Sequence, residues 1–312
     1  MKSLVTGATG FIGPRLLRLL RDPIILSRNP ERAKKKLGHL AGRVIRWDSM
    51  EGPPPAEAFE GVEAVFHLAG ESVAEGRWTA RQKEKIRGSR VFGTRNLVRG
   101  ISQASTQPKV FVCASAVGFY GNRKEEELTE SSLPGNDFLA EVCGEWEAEA
   151  LAATRSGVRV VTARTGIVLG TDGGALGKML LPFNLGCGGP LGNGKQWMPW
   201  IHVADLTRLY LYAAQTDSIH GPMNATAREP VRNSEFTKAL AKQLHRPAFM
   251  PAPYFGLRIL FGEFAQVLFA SQKVIPKVPK RCQDSCFSFR TSLRHCTIFS
   301  RRHHPKTNAR RC

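Results

Sequence analysis

The chain has 312 residues, 42% of them hydrophobic, enough to bury a substantial core in one large domain or in a domain with an appendage. No apolar run approaches the ~20 residues of a bilayer-spanning helix, and strand-like sequence begins almost at Met1, so a cytoplasmic protein with no membrane contact is expected. The formal charge of +19 suggests a nucleic-acid binder until it is located: residues 277–312 hold ten Lys/Arg against one acid, Asp284, and carry +9, leaving +10 spread over surface helices. Nucleic acid is therefore expected to engage the tail at most, and weakly.

Residues 1–20 read as strand, glycine turn and helix. Leu4 and Val5 end an apolar run, Thr6-Gly7-Ala8-Thr9-Gly10-Phe11-Ile12-Gly13 follows, and Leu16, Leu17, Leu19 and Leu20 give the next segment an amphipathic face. That order places bare backbone N–H groups where a pyrophosphate can approach. In this reading Gly7 permits the turn, Gly10 lets the phosphates reach the main chain, and Gly13 lets the helix pack against the strand.

Residues 24–26 form a second buried strand, followed by Ser27-Arg28-Asn29-Pro30 and a basic helix to Leu37. Strands are expected over 43–47, over 62–68 (running into Ala69-Gly70), over 109–114 and over 158–163, with long helices over 78–101 and 138–153. Strands apolar on both faces that alternate with helices predict an α/β fold, a Rossmann-like doubly wound parallel sheet. From Thr171 the composition turns to glycine and proline, with Trp197, Pro199 and Trp200 near its end, which predicts a substrate loop over 171–200. Helices over 231–244 and 254–270 suggest a smaller C-terminal unit. The expected division is 1–220, 221–280 and a basic, disordered tail over 281–312.

Seven cysteines with no even spacing argue against a disulfide framework. Cys113, Cys143 and Cys187 sit among apolar or glycine-rich neighbours and read as reduced core or near-core thiols. Cys282, Cys286, Cys296, His303 and His304 match no familiar zinc spacing, and no metal is expected.

The end of the second strand bears on the cofactor. An NAD site usually places an acid there for the ribose 2′-hydroxyl. Here Ser27-Arg28 stands instead, and Arg28 can pair with a 2′-phosphate that a carboxylate would repel, so NADP(H) is expected. On the long helix, Ile86, Arg90, Gly93 and Leu97 share one face, so Arg90 needs either a polar partner, such as a cofactor phosphate or ribose, or a route to the rim. Arg164 falls at the carboxyl edge of the sheet, where such folds bind ligands.

Taken together, Thr6-Gly-Ala-Thr-Gly-Phe-Ile-Gly13, His67-Leu-Ala-Gly70, Ser115-Ala-Val-Gly-Phe-Tyr-Gly121, Arg164-Thr-Gly-Ile-Val-Leu-Gly170 and Trp200-Ile-His-Val-Ala-Asp205 resemble an extended short-chain dehydrogenase/reductase. More narrowly they resemble its atypical epimerase-family branch, NAD-dependent epimerase/dehydratase-like proteins with a small C-terminal domain of unknown function. The likeness covers about residues 1–277, and Trp197-Met-Pro-Trp-Ile-His202 is among its most specific parts. It implies an NADP(H)-binding protein acting as oxidoreductase or epimerase on an unknown small molecule, with nucleotide-sugar-like compounds as the candidate class. It also implies cofactor contacts from Gly7, Thr9, Gly10, Phe11, Ile12, Gly13, Ser27, Arg28, Leu68, Ala69, Gly70, Arg90 and Arg164.

The catalytic residues of the wider family do not carry over. The resemblance calls for a Ser or Thr four residues before Tyr120, where Ala116 stands, and for a Tyr-x-x-x-Lys pair on the following helix, where Leu139 and Cys143 stand. Tyr120 and Lys124 have that spacing but lie in a turn, where they would not share a face. Ser115, Tyr120 and His202 remain as candidate proton carriers, and no catalytic residue is assigned. The alternative is a cofactor-dependent binding or sensor protein without turnover. Past Lys277 the chain keeps the phenylalanines of the family's closing segment at Phe287 and Phe289, then becomes basic and aperiodic.

Overall fold

The computed structural model describes residues 1–277. The expectations for 281–312, including the phenylalanines and the histidine and cysteine spacing, lie outside the described residues. In chain order the elements are β1 (Ser3–Thr6), α1 (Gly13–Leu17), β2 (Ile24–Ser27), α2 (Pro30–Leu37), β3 (Val44–Arg46), β4 (Ala64–His67), α3 (Ala80–Gln103) and β5 (Val110–Ala116). Then come β6 (Glu127–Leu128), α4 (Phe138–Leu151), β7 (Arg159–Thr165), β8 (Ile167–Gly170), α5 (Gly174–Asn184), β9 (Trp197–Met198), β10 (Trp200–His202), α6 (Val203–Gln215) and β11 (Gly221–Ala225). The C-terminal unit adds β12 (Val231–Arg232), α7 (Asn233–Leu244), α8 (Tyr254–Phe261), α9 (Ala265–Phe269) and β13 (Lys273–Val274).

Seven strands form one parallel sheet in the order β11-β7-β5-β4-β1-β2-β3, the expected doubly wound arrangement. Its strands are buried on both faces. Val5, Ile25, Phe66 and Val112 pack with Leu16, Leu37 and Leu206 on one side, while Leu4, Leu26, Val65 and Phe111 pack with Leu97, Ile101 and Trp146 on the other. The glycines of α3 let it lie close: a Cβ at Gly100 would fall 2.7 Å from Pro54 and 2.9 Å from Phe59. Among the described residues no helix is long and apolar enough to cross a membrane.

Several features differ from expectation, among them the helix over 254–270, which is split into α8 and α9 around Gly262. Helix α1 stops at Leu17 rather than Leu20, because Leu19 and Leu20 donate to Leu16 and Leu17 in tighter i→i+3 turns before Asp22 adopts φ 44°. The stretch 171–200 is not all loop. It contains α5, whose Leu176, Met179, Leu180 and Phe183 pack into the C-terminal cluster despite Pro182. Strand β11 was not expected, since Pro222 and Asn224 disguise it; proline is tolerated there because the strand is an edge. It carries the main sheet past the division drawn at residue 220.

Candidate functional site

The strand order reverses around β1, and the carboxyl ends of β1, β2 and β4 open there into a cleft of about 260 Å³. Its walls include Gly7, Thr9 and Gly10 from the glycine turn, Ser27 and Arg28 after β2, and Leu68, Ala69 and Gly70 after β4. Three sequence segments singled out separately thus share one concavity.

Gly7 has φ +68°, and a Cβ on it would fall 2.6 Å from Ala69 N, so only glycine lets the turn rest on the end of β4. Gly10 N–H donates to Gly7 O at 2.9 Å and closes the turn. A Cβ at Gly10 would meet only Gly7 O, at 3.2 Å, so this glycine serves the cleft rather than the packing. Gly13 abuts the Ala8 carbonyl, so its missing side chain seats α1 on the turn itself, not on the strand as expected. With α1 only five residues long its dipole is small. Phe11 and Ile12 are half-buried beyond the cleft wall.

A buried polar chain holds the facing wall. His67 Nδ1 lies 2.6 Å from Thr6 Oγ1, and His67 Nε2 lies 3.0 Å from Thr94 Oγ1. Burial, and then the nearby Arg90, hold the imidazole pKa down to about 3, so the ring is neutral and offers one donor and one acceptor. Ala69 N–H donates to the same Thr6 hydroxyl at 3.3 Å, which ties Leu68-Ala69 against Gly7.

Arg28 is exposed on the cleft wall and has no carboxylate partner among the described residues. Ser27 Oγ turns toward Asn29, 3.3 Å from its N–H, within the turn in which Asn29 caps α2. Arg90 lies directly behind Gly70, whose Cβ would be 3.3 Å from the guanidinium carbon. It donates to Glu71 O at 2.9 Å and Ile86 O at 3.1 Å and covers the Trp146 ring at 5.1 Å. Burial lowers its pKa, and no carboxylate pairs with it among the described residues.

Arg164, expected among the cofactor contacts, is held away from these groups. It is 4% exposed and sits outside the cleft, bound bidentately to Glu147 at 2.9 Å on both arms. Its remaining arm donates to Tyr120 Oη and Glu130 O, each at 3.1 Å, and its guanidinium lies 3.5 Å over the Phe119 ring. Burial opposes the charge, but the Glu147 carboxylate outweighs it and raises the pKa. Such a group is committed to the fold rather than to a ligand.

The candidate proton carriers are committed as well. Ser115 Oγ donates to Glu147 Oε1 at 2.6 Å. Tyr120 is fully buried, its hydroxyl 2.6 Å from Asn224 Oδ1, and burial raises its pKa. Lys124 is exposed with φ 54°, so the two do not share a face. His202 caps α6, accepting from Ala204 N at 3.3 Å, and burial followed by Arg15 lowers its pKa to about 4. Leu139 and Cys143 point at Gly118, where a Cβ would lie 3.2 Å from Leu139 and 3.8 Å from the Cys143 sulfur, and burial pushes that thiol up to about 12. Cys113 is buried too, whereas Cys187 is exposed, contrary to its expected near-core setting. No cluster of three or more His, Cys, Asp or Glu among the described residues is arranged to hold a metal.

The sequence reading missed the third wall, Trp47, Asp48, Ser49 and Met50, together with Glu71 and Ser89. Their signal is positional, since they follow the third strand as Arg28 follows the second. Helix α3 holds this wall through Asn96 Nδ2, which donates to Ser49 O at 2.9 Å, and through Gly93, where a Cβ would meet Ser49 at 3.3 Å.

A Rossmann-like sheet with a glycine-turn cleft at its switch point defines a dinucleotide-fold protein, and this chain belongs to the NAD dependent epimerase/dehydratase family, which it matches over residues 3–225. Residues 252–292 match a domain of unknown function, DUF1731. Among its relatives, the chain is 43% identical to the chloroplastic epimerase family protein SDR39U1 homolog of Arabidopsis thaliana, over 87% of this chain and 79% of that protein. It is 38% identical to the epimerase family protein YfhF of Bacillus subtilis, over 89% and 91%. The crystal structure of human epimerase family protein SDR39U1 with NADPH superimposes with a TM-score of 0.80 at 34% identity, covering 95% of this chain and 97% of that one. A nucleoside-diphosphate sugar epimerase from Corynebacterium glutamicum matches with a TM-score of 0.66 at 32% identity, over 91% of this chain and 54% of that one.

Proposed function

We propose that this chain binds NADP(H) and acts as an oxidoreductase or epimerase on a small, nucleotide-sugar-like molecule. The observation that carries the cofactor choice is Arg28, a cation on the cleft wall at the end of β2 that has no carboxylate partner among the described residues. The cleft fits a dinucleotide: Gly7 and Gly10 bare their backbone to it, and a side chain at Gly10 would intrude on the space they leave. In this reading the turn amides take the pyrophosphate, Arg28 and Ser27 take the 2′-phosphate, and Leu68, Ala69 and Gly70 with Arg90 behind them hold the other half. NADP(H), when bound, supplies a hydride donor or acceptor. The human relative crystallised with NADPH supports the same cofactor, and the likeness to a nucleoside-diphosphate sugar epimerase supports the substrate class.

The test is a fluorescence titration with NADPH and with NADH. NADPH is expected to bind at least about tenfold more tightly, as one charge-assisted phosphate contact allows. Equal affinities, or none, overturn the reading. Single-turnover assays of hydride transfer across alcohols and nucleotide sugars then test the activity.

One set of contacts favours a second reading, a cofactor-dependent binding or sensor protein. Ser115 is spent on Glu147, Tyr120 is sealed among Asn224 and Arg164, and Leu139 and Cys143 carry no usable proton. That reading expects tight NADPH binding and no hydride transfer in the same panel.

A further inference from the structure

The ring of Phe11, next in sequence to the cleft-lining Gly10, is seated in a cup of glycines. A Cβ on Gly170 would fall 2.9 Å from the ring, one on Gly173 also 2.9 Å, and one on Gly174 2.7 Å. These positions lie at the end of β8 and the start of α5, and Val203 closes the cup beside Gly170. Arg15 covers the ring with its guanidinium 4.5 Å from the centroid, donates to Phe11 O, and is ion-paired with Asp172 on the cup's own turn. A side chain of the nucleotide turn is thus keyed into positions that no side chain could occupy.

Helix α5 also reaches the segment that follows β4. Lys178 Nζ donates to Ala74 O at 2.7 Å, three residues beyond the cleft-lining Glu71. Elsewhere α5 packs Leu176, Met179, Leu180 and Phe183 into the C-terminal cluster, while its first turn, next to the cup, has no side-chain cap. A helix whose uncapped first turn is keyed to the nucleotide turn responds to what fills the cleft, because a close-packed contact passes on small displacements instead of absorbing them.

We propose that Phe11 is a positioning residue that couples the nucleotide turn to α5, so that filling the cleft seats α5. The proposal rests on the NADP(H) reading above. It assigns the glycines of 170–174 to this coupling rather than to loop flexibility.

Hydrogen–deuterium exchange over residues 171–186 of the full chain tests it, without and with saturating NADPH, while a separate fluorescence titration reports NADPH affinity. In the unaltered protein NADPH is expected to slow α5 exchange about tenfold, a shift typical of local opening. Gly170→Ala crowds the cup from the β8 side and presses on the Phe11 ring, while Gly7 and Gly10, which line the cleft, are unaltered. It is expected to keep NADPH affinity within about threefold while α5 no longer responds. Phe11→Ala is expected to leave α5 exchanging fast in both conditions. A merely structural ring would change the exchange of α5 but not its dependence on NADPH. An α5 that responds alike in all three proteins overturns the proposal, as does an unaltered protein that binds NADPH with no change in α5. Failure to bind NADPH at all is read by the titration and refutes the cofactor reading itself. If Phe11→Ala does not fold, Gly170→Ala decides the question.

Discussion

Thr6 Oγ1 and His67 Nδ1 lie 2.6 Å apart, joining the carboxyl ends of β1 and β4 inside the sheet. Through that contact the two strands present their following turns to one cleft, because Thr6 also accepts from Ala69 N–H and so pins the segment that faces Gly7. The imidazole works here only as a neutral group, since burial and then the nearby Arg90 oppose a second proton.

That requirement gives stability a pH dependence. In the unfolded chain the His67 ring titrates near 6.5, whereas in the fold it stays neutral down to about 3. Between those values the unfolded state binds more protons, so stability is full above the unfolded pKa and falls as pH drops toward the folded one. The expected loss at about pH 4.5 is roughly 2–3 kcal/mol from this residue. Urea denaturation across that range checks it. His67→Gln is expected to flatten the slope, at a cost of about 1–3 kcal/mol near neutrality for disturbed buried hydrogen bonds. An unchanged slope would mean that His67 does not titrate as the fold demands.

Arg28→Asp puts in the acid that an NAD site carries. Losing a charge-assisted phosphate contact and gaining a repulsive one is expected to weaken NADPH by roughly 10- to 100-fold. NADH should be little changed or improved, since it has no 2′-phosphate to repel. Paired titrations of the two nucleotides measure the ratio, and equal losses for both would contradict the phosphate role of Arg28.

How much of this was legible in the sequence depends on whether the signal is local. The strands that build the sheet are, since Leu4-Val5, Ile24-Ile25-Leu26 and Val110-Phe111-Val112 are apolar on both faces and flanked by turns. The cleft residues of β1, β2 and β4 follow, because each sits at a strand's carboxyl end. Strand β11 escapes because edge strands admit Pro222, and α5 because Gly173, Gly174 and Pro182 mask a helical apolar face. The setting of Arg164 is hidden for a different reason. A cation at the carboxyl edge looks like a ligand group until Glu147 is placed beside it, and that pairing depends on how α4 crosses β7, which no spacing reveals.

The Arg164–Glu147 pair predicts which buried polar residues support the fold. Glu147→Ala leaves a guanidinium 5% exposed without its carboxylate, and is expected to cost about 3–5 kcal/mol. Ser115→Ala removes one of several donors to that carboxylate and is expected to cost about 1 kcal/mol. Thermal unfolding of both variants measures the contrast. Neither residue lines the cleft, so NADPH affinity of the folded fraction is expected to stay within about twofold, the scatter of a distant site. Should Ser115→Ala fold normally yet lose hydride transfer to a substrate found in the panel, Ser115 would return to the chemistry.

The three glycines of the turn separate binding from folding. Gly7→Ala meets both a φ of +68° and the Ala69 backbone at 2.6 Å, and Gly13→Ala drives a methyl group into the Ala8 carbonyl. Both are expected to destabilise the chain by more than about 2 kcal/mol, since backbone cannot move aside as a flexible side chain can. Gly10→Ala meets only Gly7 O at 3.2 Å, so its fold should survive. Its methyl group would instead occupy the approach of the pyrophosphate, weakening NADPH by roughly 10-fold or more at a thermal stability near that of the unaltered protein. Measuring melting temperature and NADPH affinity on the same three variants checks both halves. If Gly10→Ala bound NADPH normally, the phosphates would lie somewhere other than over this turn.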